Sequence, residues 1–235
     1  METIRTQALN IKAGDIVVDI GCGEGRHSIA TSAYFPDATC IGLDLCFEDL
    51  DNANKKTQIF FSKNNAVHYV NANAYTLPFA DGSIDHVICS EVLEHIPNYQ
   101  QVLHEIDRTL KDGGSFSTSV PRAWPEKICW YFSNEYHQVD GGHIRIFDAN
   151  ALKSEISSLQ FSYLSRHWAH ALHAPYWWLR CIFWRKNKQH KIVELYHRIL
   201  VWDLMQRPWL TQTLERLLNP IMGKSIVMYF RKEKM

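Results

Sequence analysis

The chain has 235 residues, 46% of them hydrophobic and 21% charged, with Lys+Arg and Asp+Glu equal at 25 each. That composition describes a folded protein and excludes disordered or fibrous classes, and the length admits one large domain or a domain with an elaboration. Because the formal net charge is zero, no global field favours nucleic acid or an acidic membrane, and such a partner would have to be met by a local patch.

Six cysteines (Cys22, Cys40, Cys46, Cys89, Cys129 and Cys181) show no C-x-x-C spacing. Several fall in strand-like runs, so they read as buried thiols of a reducing compartment rather than a disulfide framework. The N-terminus "METIRTQALNIKAGD" lacks an apolar core, and no run of 18 apolar residues occurs. The expectation is therefore no signal peptide, no membrane span and a cytoplasmic location.

Along the chain, "DIVVDIG" (15–21) reads as a strand and "GRHSIATSAYF" (25–35) as a helix. "TCIGLDL" (39–45) is a strand, residues 46–65 a helix, and "AVHYVNAN" (66–73) and "SIDHVICS" (83–90) are strands. Residues 91–110 read as a helix broken by Pro97 and closed by Gly113–Gly114, before a strand at 114–120. Residues 121–147 read as a Trp/His/Gly loop, 148–160 as a helix and 161–169 as a strand. Residues 170–223 are helix-rich and aromatic, and "SIVMYFRKE" (225–233) is a closing strand. Alternating strands and helices imply an α/β, doubly wound, mostly parallel sheet with ligands at the carboxyl ends of its strands.

The stretch "VVDIGCGEGRHS" (17–28) places Gly21, Gly23 and Gly25 just after the first strand. Glycine admits positive φ and close backbone approach, so the turn is built either for a ligand or merely for tightness. A dinucleotide-binding turn, G-x-G-x-x-G, would need glycine where the chain has Arg26. An acid two residues earlier, Asp19, repels a pyrophosphate and suits a cationic ligand. S-adenosylmethionine carries an ammonium and a sulfonium and no phosphate.

On these residues the chain resembles the class I S-adenosylmethionine-dependent methyltransferases, in the branch containing the ubiquinone-biosynthesis methyltransferases. "VVDIGCGEG" is similar to the family's first motif, "GLDL" (42–45) to its second strand, residues 71–96 to the stretch through its fourth strand, and "LKDGGSFSTSVP" (110–121) to the turn into its fifth. The likeness is strong over about residues 10–121, loose over 143–157 and slight elsewhere. It implies a Rossmann-like, seven-stranded, mostly parallel sheet with an antiparallel C-terminal strand, and S-adenosyl-L-methionine as cofactor. The contact set implied is Asp19, Gly21, Cys22, Gly23, Gly25, Asp44, Leu45, Asn73, Ala74 and Ser90, with Asp44 on the ribose hydroxyls and residue 73 on the adenine amino group. The family usually has Asp at that last position. Asn73 can still accept, for a loss of about 1 kcal/mol between a charged and a neutral hydrogen bond. Ile84 stands where an aromatic is common, a packing difference. The bland alternatives are a strand-end surface acid for Asp44 and a loop cap for Asp19.

Methyl transfer needs alignment, dryness and a base when the acceptor is an un-ionised hydroxyl. "EVLEH" (91–95) puts Glu91, Glu94 and His95 on one face if that segment is helical. Such a face could hold a divalent metal, with His143 as a further ligand, as in the similar pentapeptide of the ubiquinone-pathway and small-RNA methyltransferases. Alternatively Glu91 flanks a helix start and Glu94 and His95 form a solvated pair. The metal stays open; His95 and His143 are the candidate bases. His137, His167, His170 and His173 read as ordinary hydrogen-bonded histidines.

Six of the eight tryptophans lie at 168, 177, 178, 184, 202 and 209, and residues 175–223 hold eight basic residues against three acids. That helical, aromatic insert (170–223, within a methyltransferase domain of 1–169 plus 224–235) suits a substrate lid or an interfacial contact with a membrane. The apolar stripe of residues 191–206 reads as core. The aromatic insert points to a hydrophobic or aromatic small-molecule acceptor, and the expected methylated atom is oxygen ahead of carbon or nitrogen; nucleic acid is disfavoured because only the insert is basic. Rival readings are a catalytically silent binding subunit and a nicotinamide-dependent oxidoreductase.

Overall fold

In the computed structural model, which describes residues 2–61, 67–139, 141–184 and 190–234, the alternation becomes one seven-stranded sheet. Its strands are β1 (Ile16–Ile20), β2 (Thr39–Asp44), β3 (Val67–Asn71), β4 (Ile84–Ser90), β5 (Leu110–Pro121), β6 (Phe161–Ala169) and β7 (Ser225–Lys232). The order is β3-β2-β1-β4-β5-β7-β6. Strands β1 to β5 pair in parallel, and β7 runs antiparallel to both β5 and β6. The helices are α1 (Arg26–Tyr34), α2 (Phe47–Phe60), α3 (Tyr99–Thr109), α4 (Ala123–Phe132), α5 (Glu135–Gln138), α6 (Ala149–Ser158), α7 (His173–Ile182), α8 (Lys191–Gln206) and α9 (Trp209–Met222).

Side chains alternate across a strand, so the apolar run of β1 feeds both faces of the sheet. Val18 and Ile20 join Leu43, Val87 and Phe116 on one side, covered by Val102 and Ile106 of α3 and Leu152 and Ile156 of α6. Val17 joins Cys40, Ile88 and Val227 on the other, under Ile4, Leu9 and Ile11. Each such buried aliphatic contributes about 1.5–3 kcal/mol. Asp148 caps α6 by accepting from the Asn150 and Ala151 amides at 2.9 and 2.8 Å, which is worth about 1 kcal/mol. Strand order reverses beside β1, and the crevice past the carboxyl ends of β1, β2 and β4 is where such sheets hold ligands.

Several expectations need correction. Residues 91–98 are no α-helix: Glu91 has φ +57°, and only a single 3₁₀ turn, Leu93–His95, follows. Pro97 forces the residue before it, Ile96, into extended backbone (ψ 118°), so α3 starts afresh at Tyr99. Glu91, Glu94 and His95 therefore do not share a helical face. Gly113 and Gly114 lie inside β5, not at a helix end, beside an irregularity in the β4–β5 register. Residues 121–147 contain α4 and α5 rather than a loop alone. These helices pack with α7 through Cys129, Tyr136 and Cys181, ringed by Trp130, Trp177, Trp178 and Trp184. Five of the six free cysteines are buried, but Cys46 is exposed. On α8 the apolar stripe is core only in part: Val193 and Leu200 are buried, whereas Ile192, Leu195 and Ile199 are exposed. Residues 62–65 of the expected second helix, and the basic positions Arg185, Lys186 and Lys188, fall outside the described residues.

Candidate active site

The turn after β1 is tied to the end of β2, where the Gly21 and Cys22 amides donate to the Leu43 carbonyl at 2.7 and 3.0 Å. Gly21 has φ +65°, and a Cβ there would overlap the Val92 side chain. Gly23, at φ +50°, has no heavy atom within 4 Å of where a Cβ would stand. The turn is thus pressed against protein on one side and open on the other.

The Asp44 carboxylate accepts from the Gly23 amide at 2.8 Å and the Cys46 amide at 2.9 Å. It locks the turn to the second strand, and a carboxylate's four lone-pair sites leave two for a ligand. Asp19 is 3% exposed; its Oδ2 accepts from both the amide (3.0 Å) and the hydroxyl (2.7 Å) of Ser28. Burial pushes its carboxyl up to about 6, against the opposing pull of Ser28 and Arg26. Asn73 turns its Oδ1 onto the Tyr75 amide at 2.9 Å, which spends one of that oxygen's two lone pairs.

A cavity of about 530 Å³ opens over these groups. Of the residues expected from the sequence, Gly21, Asp44, Leu45, Asn73, Ala74 and His95 line it together. Cys22, Gly23 and Gly25 belong to the adjoining turn and, like Asp19, Ser90 and His143, stand outside its wall. Ser90 is buried, with its hydroxyl 3.2 Å from His27 Nε2 and 2.9 Å from Ser119 Oγ. Sequence reasoning missed Asp49, Tyr75, Ile96 and Gly141 on this wall. Asp49 carried a signal, an acid in the first turn of a helix that begins at the ligand edge.

Beyond the cavity the chain places three chemically distinct groups. Glu91 is held by its amide on the Ser119 carbonyl (3.0 Å) and by the Ser119 hydroxyl donating to Oε1 (2.8 Å). Glu94 is fully buried, not solvated, and neither carboxyl oxygen has a hydrogen-bond partner among the described residues. Burial, then the charge of Glu91, raises its carboxyl well above the usual value. His95 donates from Nδ1 to the Gly142 carbonyl at 3.1 Å. A carbonyl only accepts, so the neutral ring keeps its lone pair on Nε2, 3.9 Å from Glu94. Burial lowers the His95 imidazole below its ordinary value.

His143 stands 5.0 Å from His95, ring edge to face, and binds the buried Glu126 carboxylate at 2.6 Å through Nδ1. Burial would raise Glu126, but His143 and the nearby Lys224 hold it below the usual carboxylate value. Glu94, His95 and His143 each bring a ligand atom within 4.8 Å of the others. Of the remaining histidines, His137 stacks on Trp130 at 4.1 Å, His167 bonds the Thr3 carbonyl at 3.2 Å, and His170 meets the Thr3 hydroxyl at 3.0 Å. His137 and His173 depart from expectation, since the buried Nδ1 of each has no hydrogen-bond partner among the described residues.

Comparison with known proteins gives these features a setting. A family model described as a methyltransferase domain matches residues 18–118. Over 128 residues the chain is 34% identical to a demethylmenaquinone methyltransferase of Oceanobacillus iheyensis, covering 53% of each. Over 127 residues it is 29% identical to a malonyl-(acyl-carrier protein) O-methyltransferase of Legionella pneumophila, covering 53% of this chain and 43% of the relative. The chain spans about half the length of the curated relatives it matches. The crystal structure of the YcgJ protein from Bacillus subtilis has the same fold, with a TM-score of 0.65, 18% identity, and coverage of 98% of this chain and 97% of that one.

Proposed function

Residues 18–118 form a class I S-adenosylmethionine-dependent methyltransferase domain, and from that premise we propose that the protein methylates a hydrophobic small molecule at oxygen. The observation that carries the proposal is the cavity beside the glycine turn, walled by Gly21, Asp44 and Asn73. Its donor set fits a cationic nucleoside: the Asp44 carboxylate has acceptor capacity for a diol, Asn73 has a free lone pair and amide, and among the described residues no lysine or arginine lines the wall. Asp19, behind the turn, adds a negative charge that favours a sulfonium and an ammonium.

When bound, S-adenosyl-L-methionine supplies an electrophilic methyl group whose sulfur departs as a neutral thioether. Asp44, Leu45, Asn73 and Ala74 would hold the nucleoside, and Gly21 the amino-acid portion. His95, oriented by Gly142, presents Nε2 to the acceptor hydroxyl and takes its proton as the new C–O bond forms. Proton removal by a placed imidazole is worth about 10²–10⁴ in rate. Burial, against the opposing pull of the Gly142 carbonyl and the Glu91 charge, holds the imidazole below its ordinary value and so leaves it free to take a proton. The insert, residues 170–223, serves as a lid over the unit formed by 1–169 and 224–235.

The Glu94–His95–His143 cluster supports a second reading, a divalent cation. Both imidazoles direct Nδ1 to an outer partner, Gly142 or Glu126, as metal-bound histidines do, and Glu94 has two unclaimed oxygens. Such an ion would hold the acceptor's oxygen and lower its pKa. Titration with Mn²⁺, followed by its electron spin resonance signal, separates the two readings. Tight binding lost in Glu94→Gln supports the ion, and weak binding unchanged in that variant supports His95 acting alone.

Among the described residues no helix is long and apolar enough to cross a membrane. The outward faces of α8 and α9 nonetheless expose Leu195, Trp202, Met205, Trp209, Leu217 and Ile221, beside Lys191, Arg207 and Arg216. This is the make-up of an interfacial contact, and it supports a cytoplasmic enzyme that docks on a lipid surface to collect its acceptor. Incubation with tritiated S-adenosylmethionine and fractionated cell extract tests the activity. Label in the solvent-extractable fraction supports it, and label confined to RNA or protein rejects the small-molecule acceptor.

A further inference from the structure

A second cavity, about 480 Å³, lies between the sheet edge and the inner sides of α7 and α8. Glu91 lines this cavity and also the one over the glycine turn, so the two meet at that residue. The positive φ that sets Glu91 apart from the neighbouring backbone puts it at the junction.

The charge of the second cavity is one-sided. Arg26 from the start of α1, Arg180 from α7 and Lys224 from the start of β7 all line it. None of the three has a carboxylate at ion-pair distance among the described residues, although Arg26 acts at longer range on Asp19 and Lys224 on Glu126. Among the described residues Glu91 is the single acid on the wall, and its Oε1 is already engaged by Ser119. Arg180 and Lys224 sit 4.9 and 5.1 Å from the centre of the same Trp177 ring, which places two like charges about one indole. The buried Nδ1 of His173, on the same wall, has no partner. Three cations on one wall beside an unfilled donor or acceptor form a polar surface that an anion would complement.

One side of the wall is apolar, where Leu200, Val201 and Leu204 of α8 line the cavity, while Thr3, His197 and Ser225 add polar groups elsewhere. An inorganic anion would leave that side unused, whereas a chain or ring attached to the anion would cover it. We propose that this cavity is the acceptor pocket and that it takes an amphiphile with a phosphate or carboxylate head. The head is held between Arg26, Arg180 and Lys224, and the apolar body lies along α8. The acceptor role rests on the methyltransferase reading given above; the anion site itself does not.

The test is calorimetric titration of the full-length protein with octyl phosphate, octanoate, octanol and inorganic phosphate, each below its aggregation limit. The proposal expects octyl phosphate or octanoate to bind at least tenfold more tightly than both octanol and inorganic phosphate, and the two anionic arms identify the head. Arg180→Met and Lys224→Met should each weaken that binding at least fivefold. Arg26→Gln, at an exposed position where folding is least at risk, should weaken it measurably. Equal affinity for octanol, or affinity unchanged in the variants, overturns the proposal. Titration of S-adenosylhomocysteine into the same samples keeps the two claims apart. Nucleoside binding without anion preference rejects the pocket alone. Anion binding without nucleoside binding rejects the acceptor role and the methyltransferase reading with it.

Discussion

Replacing Asp19 by Asn should strengthen the empty protein and weaken its grip on the methyl donor. The Asp19 carboxyl is 3% exposed and raised from 3.8 to about 6 by burial, a difference of about 3 kcal/mol against the charged form. A group whose folded value lies above its unfolded one stabilises the fold below the unfolded value. That contribution is lost as the pH climbs through the window from 3.8 to about 6. At pH 8 the wild type therefore carries the full cost and Asp19→Asn carries none. Both Ser28 contacts fall on one oxygen, Oδ2, so the amide oxygen of Asn can accept both. The expected gain at pH 8 is about 1–3 kcal/mol, or roughly 2–10 °C in Tm for a chain of this size, with a smaller gain at pH 5. Urea unfolding at the two pH values measures it. A variant no more stable than wild type at pH 8, or equally shifted at pH 5, would refute the burial argument. On the ligand side, loss of the charge should cut S-adenosylhomocysteine affinity about tenfold by calorimetry.

Two further predictions concern the turn and the base. Gly21→Ala forces a Cβ into Val92 at a positive φ and should destabilise by about 1–3 kcal/mol. Adding Val92→Ala should recover the steric part alone, as read by thermal melting. In an NMR pH titration the His95 ring should protonate below the ordinary value of 6.5, because burial disfavours the cation. His95→Gln should lower kcat about 10²–10⁴-fold with nucleoside affinity retained, and a titration midpoint at or above 6.5 would count against this base.

How much of this was legible in the sequence depended on how local the signal is. The strand-then-helix rhythm through residue 121 and the antiparallel closing strand need only short-range periodicity, and β6 falls at Phe161–Ala169 where the pattern put it. Gly21, Asp44 and Asn73 could be gathered from motif spacing, because each lies at or just past the end of a strand whose neighbours the topology dictates. The segment after Ser90 could not, because Pro97 and the left-handed Glu91 override its helical spacing. The helix α4 was hidden by its aromatic composition, and it is held by tertiary contacts such as the Trp178 indole donating to the Pro125 carbonyl at 3.1 Å. On α8 the pattern reveals a stripe but not what covers it, so exposed Leu195 and Ile199 read as core. The cationic cavity had no linear signature at all, since Arg26, Arg180 and Lys224 come from three distant parts of the chain.

The measurement that bears most directly on the central claim is calorimetry of S-adenosylhomocysteine binding to the wild type and to Asp44→Ala. The glycine-turn cavity predicts one site per chain, with affinity falling at least tenfold when the Asp44 carboxylate is removed. An absence of binding to the wild type, or an affinity indifferent to Asp44, would contradict it.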